Sequence, residues 1–140
     1  HPDTDDWLGR YELFDLIEES FEGYQVLLMA DCCYSGALAR EVADRETEYY
    51  YAALTSATSD VESTGNWTFT DCVLTALRGD GSLDTDGDGA VSFQELADYV
   101  VKTMKHDEKQ PADYQTTEGF DGSFRLATVK DLARGKHKRR

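Results

Sequence analysis

A short segment at residues 29–36, MADCCYSG, places an acid, two adjacent thiols and a Ser-Gly turn at the end of an apolar run. Thiolates are good nucleophiles, and a cysteine at the carboxyl end of a buried strand lies where backbone N–H groups can stabilise an oxyanion. We therefore single out Cys33, which follows Asp31, as a candidate nucleophile for acyl transfer. A cysteine can also be a small buried hydrophobe, which is what we expect of Cys32, on the core side of the strand, and of Cys72.

A second segment, residues 84–95, has the spacing of an EF-hand calcium loop. Carboxylates stand at positions 1, 3 and 5, glycine at position 6 and a candidate bidentate glutamate at position 12. The predicted ligands are Asp84, Asp86, Asp88, the backbone carbonyl of Ala90, Ser92 and Glu95. Four acids so close together would repel one another without a cation, so Ca²⁺ is the predicted cofactor. An Asp/Gly-rich turn without an ion is the alternative, and the sequence contains no second loop of this kind.

Hydrophobic periodicity predicts the elements that position these two segments. Helices are predicted around residues 13–21, 35–45, 68–79 and 93–104, and strands at 24–30, 49–57 and 123–129. Residues 110–122 are predicted to be a connection, and Trp67 and Phe69 to pack at the start of their helix. This order indicates an α/β fold with a largely parallel sheet in one domain, residues 1–128, followed by a basic tail, residues 129–140.

Charge and cysteine content narrow the classes of partner. The chain has a formal net charge of −14, and its basic residues concentrate in the tail. The acidic body should repel nucleic acid and attract cationic partners. Three cysteines make a poor disulfide framework, so we expect free thiols in a reducing compartment, the cytoplasm. No apolar run is long enough to span a bilayer and no signal peptide is visible, so no membrane partner is expected.

The segment VLLMADCCYSG, residues 26–36, resembles the active-site segment of caspase-like cysteine peptidases, in particular the metacaspase and prokaryotic caspase-homologue branch. That family's pattern is an apolar strand followed by Asp-x-Cys-x-Ser-Gly. Further segments follow in the family's order, and together they cover most of residues 24–128. They are YYYAALTSATSDVEST (49–64), GNWTFTDCVLTALRG (65–79), DTDGDGAVSFQELADYV (84–100), Gln110-Pro111 and SFRLA (123–127).

The resemblance implies a caspase-hemoglobinase-like fold, a mostly parallel sheet flanked by helices, and a cysteine endopeptidase. Carried over by motif position, Cys33 is the nucleophile and Asp31 the acid at the floor of the pocket for the residue before the scissile bond. An acid there implies protein or peptide substrates cleaved after Arg or Lys, and a desolvated carboxylate has the same preference on physical grounds. Asp60 falls in a loop that shapes this pocket in the family, although a plain solvated acid is an equal alternative.

The sequence departs from the family pattern at the general base. The family's base is a histidine in a His-Gly motif about 50 residues before the cysteine, whereas only 32 residues precede Cys33 here. His1 is followed by proline, and His106 and His137 lie downstream. We expect the C-terminal part of a peptidase domain whose early strands and histidine lie elsewhere, inactive in isolation and completed by the remainder of that domain. The alternative is a non-catalytic caspase-like scaffold or calcium-binding module.

Overall fold

The computed structural model describes residues 9–130, so the first eight residues, with His1, and the basic tail from residue 131, with His137, lie outside the described range. The elements in chain order are helix α1 (Arg10–Ser20), strand β1 (Gln25–Ala30), helix α2 (Gly36–Asp44), strand β2 (Tyr50–Thr55), helix α3 (Thr68–Leu77), strand β3 (Ala90–Ser92), helix α4 (Phe93–Thr103), which continues into a π-helical turn (Met104–Glu108), strand β4 (Asp113–Thr116) and strand β5 (Arg125–Thr128). None of these helices is long and apolar enough to cross a membrane.

The main sheet has three strands in the order β1-β2-β4. Strands β1 and β2 are parallel, and their last residues, Ala30 and Thr55, lie side by side. Strand β4 joins β2 in antiparallel orientation, while β3 and β5 form a separate antiparallel ribbon. The prediction of an α/β chain is therefore confirmed at the level of helices around a small mixed sheet.

The predicted largely parallel arrangement holds only for β1 and β2, and the caspase-hemoglobinase-like fold stays a prediction. Residues 113–116 were expected to be part of a connection, but they form a strand of the main sheet, while the last strand, β5, lies outside it. A four-residue polar strand such as DYQT shows too little alternation to be recognised from sequence, and it is stabilised by pairing with β2.

Strand β2 is the middle strand of the main sheet, and both of its faces are buried. Tyr51 and Ala53 face one core cluster with residues of α1 and α2, including Phe14. Ala52 and Leu54 face a second cluster, with residues of α3 and α4. The period-two alternation of a strand thus directs successive side chains into two cores, which hold β2 and the loop that follows it in place.

Arg45, directly after α2, attaches helix α1 to this body. Its guanidinium lies 4.6 Å from the ring centre of Phe14. It donates hydrogen bonds to Glu18 at 2.8 Å and to Glu41 at 3.0 Å. The bond from Arg45 is the main reason why the pKa of Glu18 is lowered, and the same bond raises the pKa of Arg45. The ion pair of Arg45 with Glu18 and the ring of Phe14 therefore pack together where α1 contacts the end of α2.

Candidate functional site

The two adjacent cysteines lie in the turn between β1 and α2. Strand β1 ends at Ala30, and the backbone N–H of Ser35 donates to the carbonyl of Cys32 at 3.3 Å. Cys32 and Cys33 are both exposed, whereas Cys72 is buried, and burial raises the pKa of the Cys72 thiol. The prediction that Cys32 faces the core was wrong because strand alternation stops with the strand, two residues earlier. All three thiols are free, as predicted.

The loop after β2 holds the cysteine turn through Tyr34 and Cys33. The backbone N–H of Tyr34 donates to the carbonyl of Val61 at 3.0 Å, and its hydroxyl donates to Glu62 at 3.1 Å. The N–H of Ser63 donates to Sγ of Cys33 at 3.3 Å. Tyr34 has a φ of 58°, a left-handed conformation that non-glycine residues seldom adopt. Its bonds to the facing loop support that conformation and set the position of Cys33.

The Ser-Gly pair of the motif is explained by close packing against the same loop. The buried hydroxyl of Ser35 accepts a hydrogen bond from the N–H of Ala57 at 3.2 Å. A Cβ on Gly36 would lie 2.5 Å from the backbone nitrogen of Ser59 and 2.6 Å from the carbonyl carbon of Thr58. Only glycine leaves room for this backbone contact, so the two residues fix the distance between the turn and the loop.

Asp31 and the exposed thiols line one cavity of about 280 Å³ at the carboxyl end of β1. Oδ2 of Asp31 accepts a 2.7 Å hydrogen bond from the hydroxyl of Thr70, in the first turn of α3. The full lining is Asp31, Cys32, Cys33, Ser63, Gly65, Asn66 and Trp67. Asp31 and Cys33, the two residues singled out from the sequence, thus line one cavity, and their roles stay a prediction.

Trp67 also lies at the cavity, although we expected it to pack at the start of α3. Trp67 is 71% exposed, while Phe69 is buried as predicted. Phe69 belongs to the amphipathic pattern of α3, whereas Trp67 precedes the first helical residue and lies outside that pattern, so periodicity gave no support for packing Trp67 in the core. The only sequence signal was an aromatic residue in a polar loop.

The loop that carries Trp67 is braced by two side chains from the end of the π-helical turn that follows α4 and from the residues just after it. Gln110 is buried; its carbonyl oxygen accepts from the N–H of Thr64 at 2.7 Å, and its amide donates to the carbonyl of Ser56. Glu108 accepts from the side chains of Thr68 and of Asn66, the latter at 2.8 Å. These hydrogen bonds lower the pKa of Glu108, and the bond from Thr68 has the largest effect. The loop that forms one wall of the cavity is therefore fixed at both ends.

Asp60 and His106 lie outside the lining of this cavity. The carboxylate of Asp60 is exposed and accepts a 2.8 Å hydrogen bond from the hydroxyl of Thr58. His106 is 83% exposed, with Nδ1 2.6 Å from a carboxylate oxygen of Asp107. Within residues 9–130, the cavity lining contains two thiols and a carboxylate but no histidine.

The calcium-type loop gathers three of its predicted ligands. One carboxylate oxygen from each of Asp84, Asp86 and Asp88 lies within 4.8 Å of the others. The backbone N–H of Asp88 donates to both Asp84 and Asp86 at 3.0 Å. Gly87 and Gly89 have φ of 75° and 84°, the left-handed turn that glycine allows without strain.

Glu95 and Ser92 are bound to each other at the start of α4. Oε2 of Glu95 accepts from both the N–H and the hydroxyl of Ser92 at 2.9 Å, and Oε1 accepts from the N–H of Thr85 at 2.6 Å. Burial alone would raise the pKa of Glu95, but these hydrogen bonds outweigh it and lower the pKa to about 2. Glu95 therefore closes the loop as a helix cap and is outside the cluster of three aspartates.

The chain supplies its own strand partner to this loop. Ala90, buried, donates its N–H to Asp88 at 2.9 Å and begins β3, where it pairs with Thr128 of β5. From the same strand, Arg125 places Nη2 2.6 Å from Oδ2 of Asp88. The loop therefore pairs with β5 of the same chain instead of with a second calcium-type loop. It also places the guanidinium of Arg125 against Asp88, one of the candidate ligands.

Comparisons of the chain with family models, curated proteins and solved structures gave no match. The resemblance carried by the cysteine segment and the segments that follow it stays a prediction.

Proposed function

We propose that this chain is the part of a caspase-like cysteine endopeptidase that carries the nucleophile and the selector for basic residues. The observation that carries the proposal is that Cys33 and Asp31 line the same cavity where β1 ends. An exposed thiol and a carboxylate at the carboxyl end of a parallel strand are suited to covalent catalysis beside a pocket for a cationic side chain. The free thiols support a reducing compartment, and we place the activity in the cytoplasm.

In the proposed reaction, Sγ of Cys33 attacks the carbonyl carbon of the peptide bond after an Arg or Lys residue. A sulfur–carbon bond forms, the carbon–nitrogen bond breaks, and the amine leaves with a proton. Water then hydrolyses the thioester and restores the thiol. Asp31 holds the substrate's basic side chain, and the hydrogen bond from Thr70 orients its carboxylate. The thiol proton needs a base, and we propose a histidine from a segment outside residues 9–130.

The test is an assay of the complete protein that contains these residues, on peptides with Arg, Lys or Asp before the reporter group. We expect cleavage after Arg and Lys, loss of activity in Cys33→Ala and retention in the matched control Cys32→Ala. Asp31→Asn should lower kcat/KM for both basic peptides. Cleavage after Asp would remove the role of Asp31, and activity in Cys33→Ala would remove the nucleophile. No cleavage at all would favour the non-catalytic scaffold.

We also propose that the loop at residues 84–95 binds Ca²⁺. The three clustered aspartates fit a hard cation that prefers carboxylate oxygens. Ser92 and Glu95 fit less well, because each already bonds the other. When bound, the ion would neutralise the aspartates and brace the β3–β5 ribbon beside them.

Calorimetry with Ca²⁺ tests this site. Wild type should release or absorb heat on titration, and Asp84→Asn or Asp86→Asn should weaken the binding. Asp98→Asn, an exposed acid on α4 outside the cluster, is the matched control and should bind as wild type does. Absence of heat in wild type, or equal binding in all variants, would contradict the proposal.

A further inference from the structure

Trp67 exposes a large aromatic surface to solvent at the cavity that Asp31 also lines. Residue Trp67 is 71% exposed, the largest exposed fraction among the large hydrophobic residues of 9–130. Tryptophan buries a large apolar area when it is covered, so a well-placed exposed indole at a cavity is a natural contact for a ligand. The cavity also contains Asp31, and no lysine or arginine of the described residues lines it.

The backbone around Trp67 is held although the side chain is free. Its carbonyl accepts from the N–H of Asp71 at 2.8 Å, which begins α3. Its neighbours on both sides, Asn66 and Thr68, donate their side-chain hydrogen bonds to Glu108. The indole therefore extends from a fixed point, so covering it would order little of the protein beyond the side chain itself.

Size and charge indicate what the cavity would take. Its volume of about 280 Å³ is just below the roughly 300 Å³ at which pockets for drug-sized molecules begin, so it suits a single side chain. One oxygen of Asp31 is oriented by Thr70, and the other, Oδ1, accepts no hydrogen bond from the described residues. A carboxylate beside an aromatic face attracts a cation that can use both.

We propose that Trp67 and Asp31 together form a site for a guanidinium group, which makes Trp67 a determinant of preference for arginine over lysine. This deepens the proposed function and rests on it for the nature of the substrate. A guanidinium is planar and weakly hydrated, so it stacks on the indole while its N–H groups reach the carboxylate. A lysine ammonium is a compact, strongly hydrated charge and gains less from the indole face.

The test measures binding without catalysis, by nuclear magnetic resonance titration of the 140-residue chain with Nα-acetyl-arginine amide and Nα-acetyl-lysine amide. The indole N–H signal of Trp67 is assigned with Trp7→Phe. We expect this signal to shift with the arginine ligand, and we expect weaker binding of the lysine ligand. Trp67→Ala should weaken arginine binding about three- to tenfold, the range of a cation–π contact at a partly exposed site.

Controls separate this site from general effects. Tyr24→Ala removes another exposed aromatic ring, and we expect unchanged binding. Asp31→Asn should weaken both ligands. Equal binding by wild type and Trp67→Ala, or equal affinity for the two ligands, would overturn the proposal. If the peptidase assay shows no cleavage but arginine binding depends on Trp67, the catalytic proposal is wrong and the guanidinium site stands. If the protein cleaves after Arg and Lys but Trp67→Ala does not change binding, the catalytic proposal stands and the guanidinium site is wrong.

Discussion

The hydroxyl of Thr70 donates a 2.7 Å hydrogen bond to Oδ2 of Asp31 and so ties the first turn of α3 to the end of β1. Thr70→Val keeps the shape and removes the donor. Because a hydrogen bond of this kind contributes about 0.5 to 1.5 kcal/mol, we expect kcat/KM for an Arg peptide to fall several-fold in the assay of the proposed peptidase activity. Thr70→Ser keeps a hydroxyl and should restore most of the activity. Equal losses in the two variants would show that the bond does not orient Asp31.

Gly36 sets the contact between the cysteine turn and the loop after β2. In Gly36→Ala the added Cβ meets the backbone of Thr58 and Ser59 at 2.5–2.7 Å. Overpacking of this kind costs about 1 to 3 kcal/mol, so the urea midpoint should fall. The control is Gly81→Ala, where the nearest atom is a methyl group of Val129 at 3.1 Å. A stability of Gly36→Ala equal to that of wild type would mean that the loop moves away without cost.

The exposure of the thiols predicts which cysteines react in the folded chain. Cys32 and Cys33 are exposed, whereas Cys72 is buried, and burial is the main reason why the pKa of its thiol is raised. Iodoacetamide at neutral pH should therefore label two thiols quickly and the third only after urea is added. Peptide mapping by mass spectrometry identifies the sites. Rapid labelling of Cys72 in the native chain, or protection of Cys32, would contradict the arrangement of the turn.

Arg45 should make stability depend on pH through Glu18. The lowered pKa of Glu18 means that its contribution is present above the ordinary carboxyl pKa, near 4.5, and is lost as pH falls through the lower value of the folded chain. Arg45→Met removes the main cause. We expect the variant to lose about 1.5 to 3 kcal/mol near neutral pH, as for hydrogen bonds to charged groups.

The difference between wild type and Arg45→Met should shrink when pH is lowered from 5 toward 3. Urea unfolding at several pH values measures it. Arg40→Met is the matched control, because Arg40 is exposed and bonds only the Ser59 hydroxyl among the described residues. We expect it to change stability by less than about 0.5 kcal/mol. A difference that does not vary with pH would assign the role of Arg45 to its packing on Phe14.

The positions of the helices and of the longer strands could be predicted from the sequence because each is encoded by a local periodic pattern. Strand β1 was expected at residues 24–30 and is found at Gln25–Ala30; α3 was expected from Thr68 and begins there. Strand β5 was also expected, within residues 123–129, but β3 and β4 were missed because they carry no such local pattern. Strands β3 and β4 have three and four residues, and their existence depends on partners far away in the chain.

The sequence by itself determined which residues could do chemistry: a thiol after an acid at a strand end, and a loop whose acids are spaced for a cation. Tertiary structure decided which of them meet. It brings the hydroxyl of Thr70 to Asp31 and the N–H of Ser63 to Cys33, and it places Trp67 at the cavity that Asp31 and Cys33 line. Asp60 lies outside that cavity. Those contacts join segments 30 or more residues apart. The packing of β2 between two cores brings such segments together, and no local pattern records that packing.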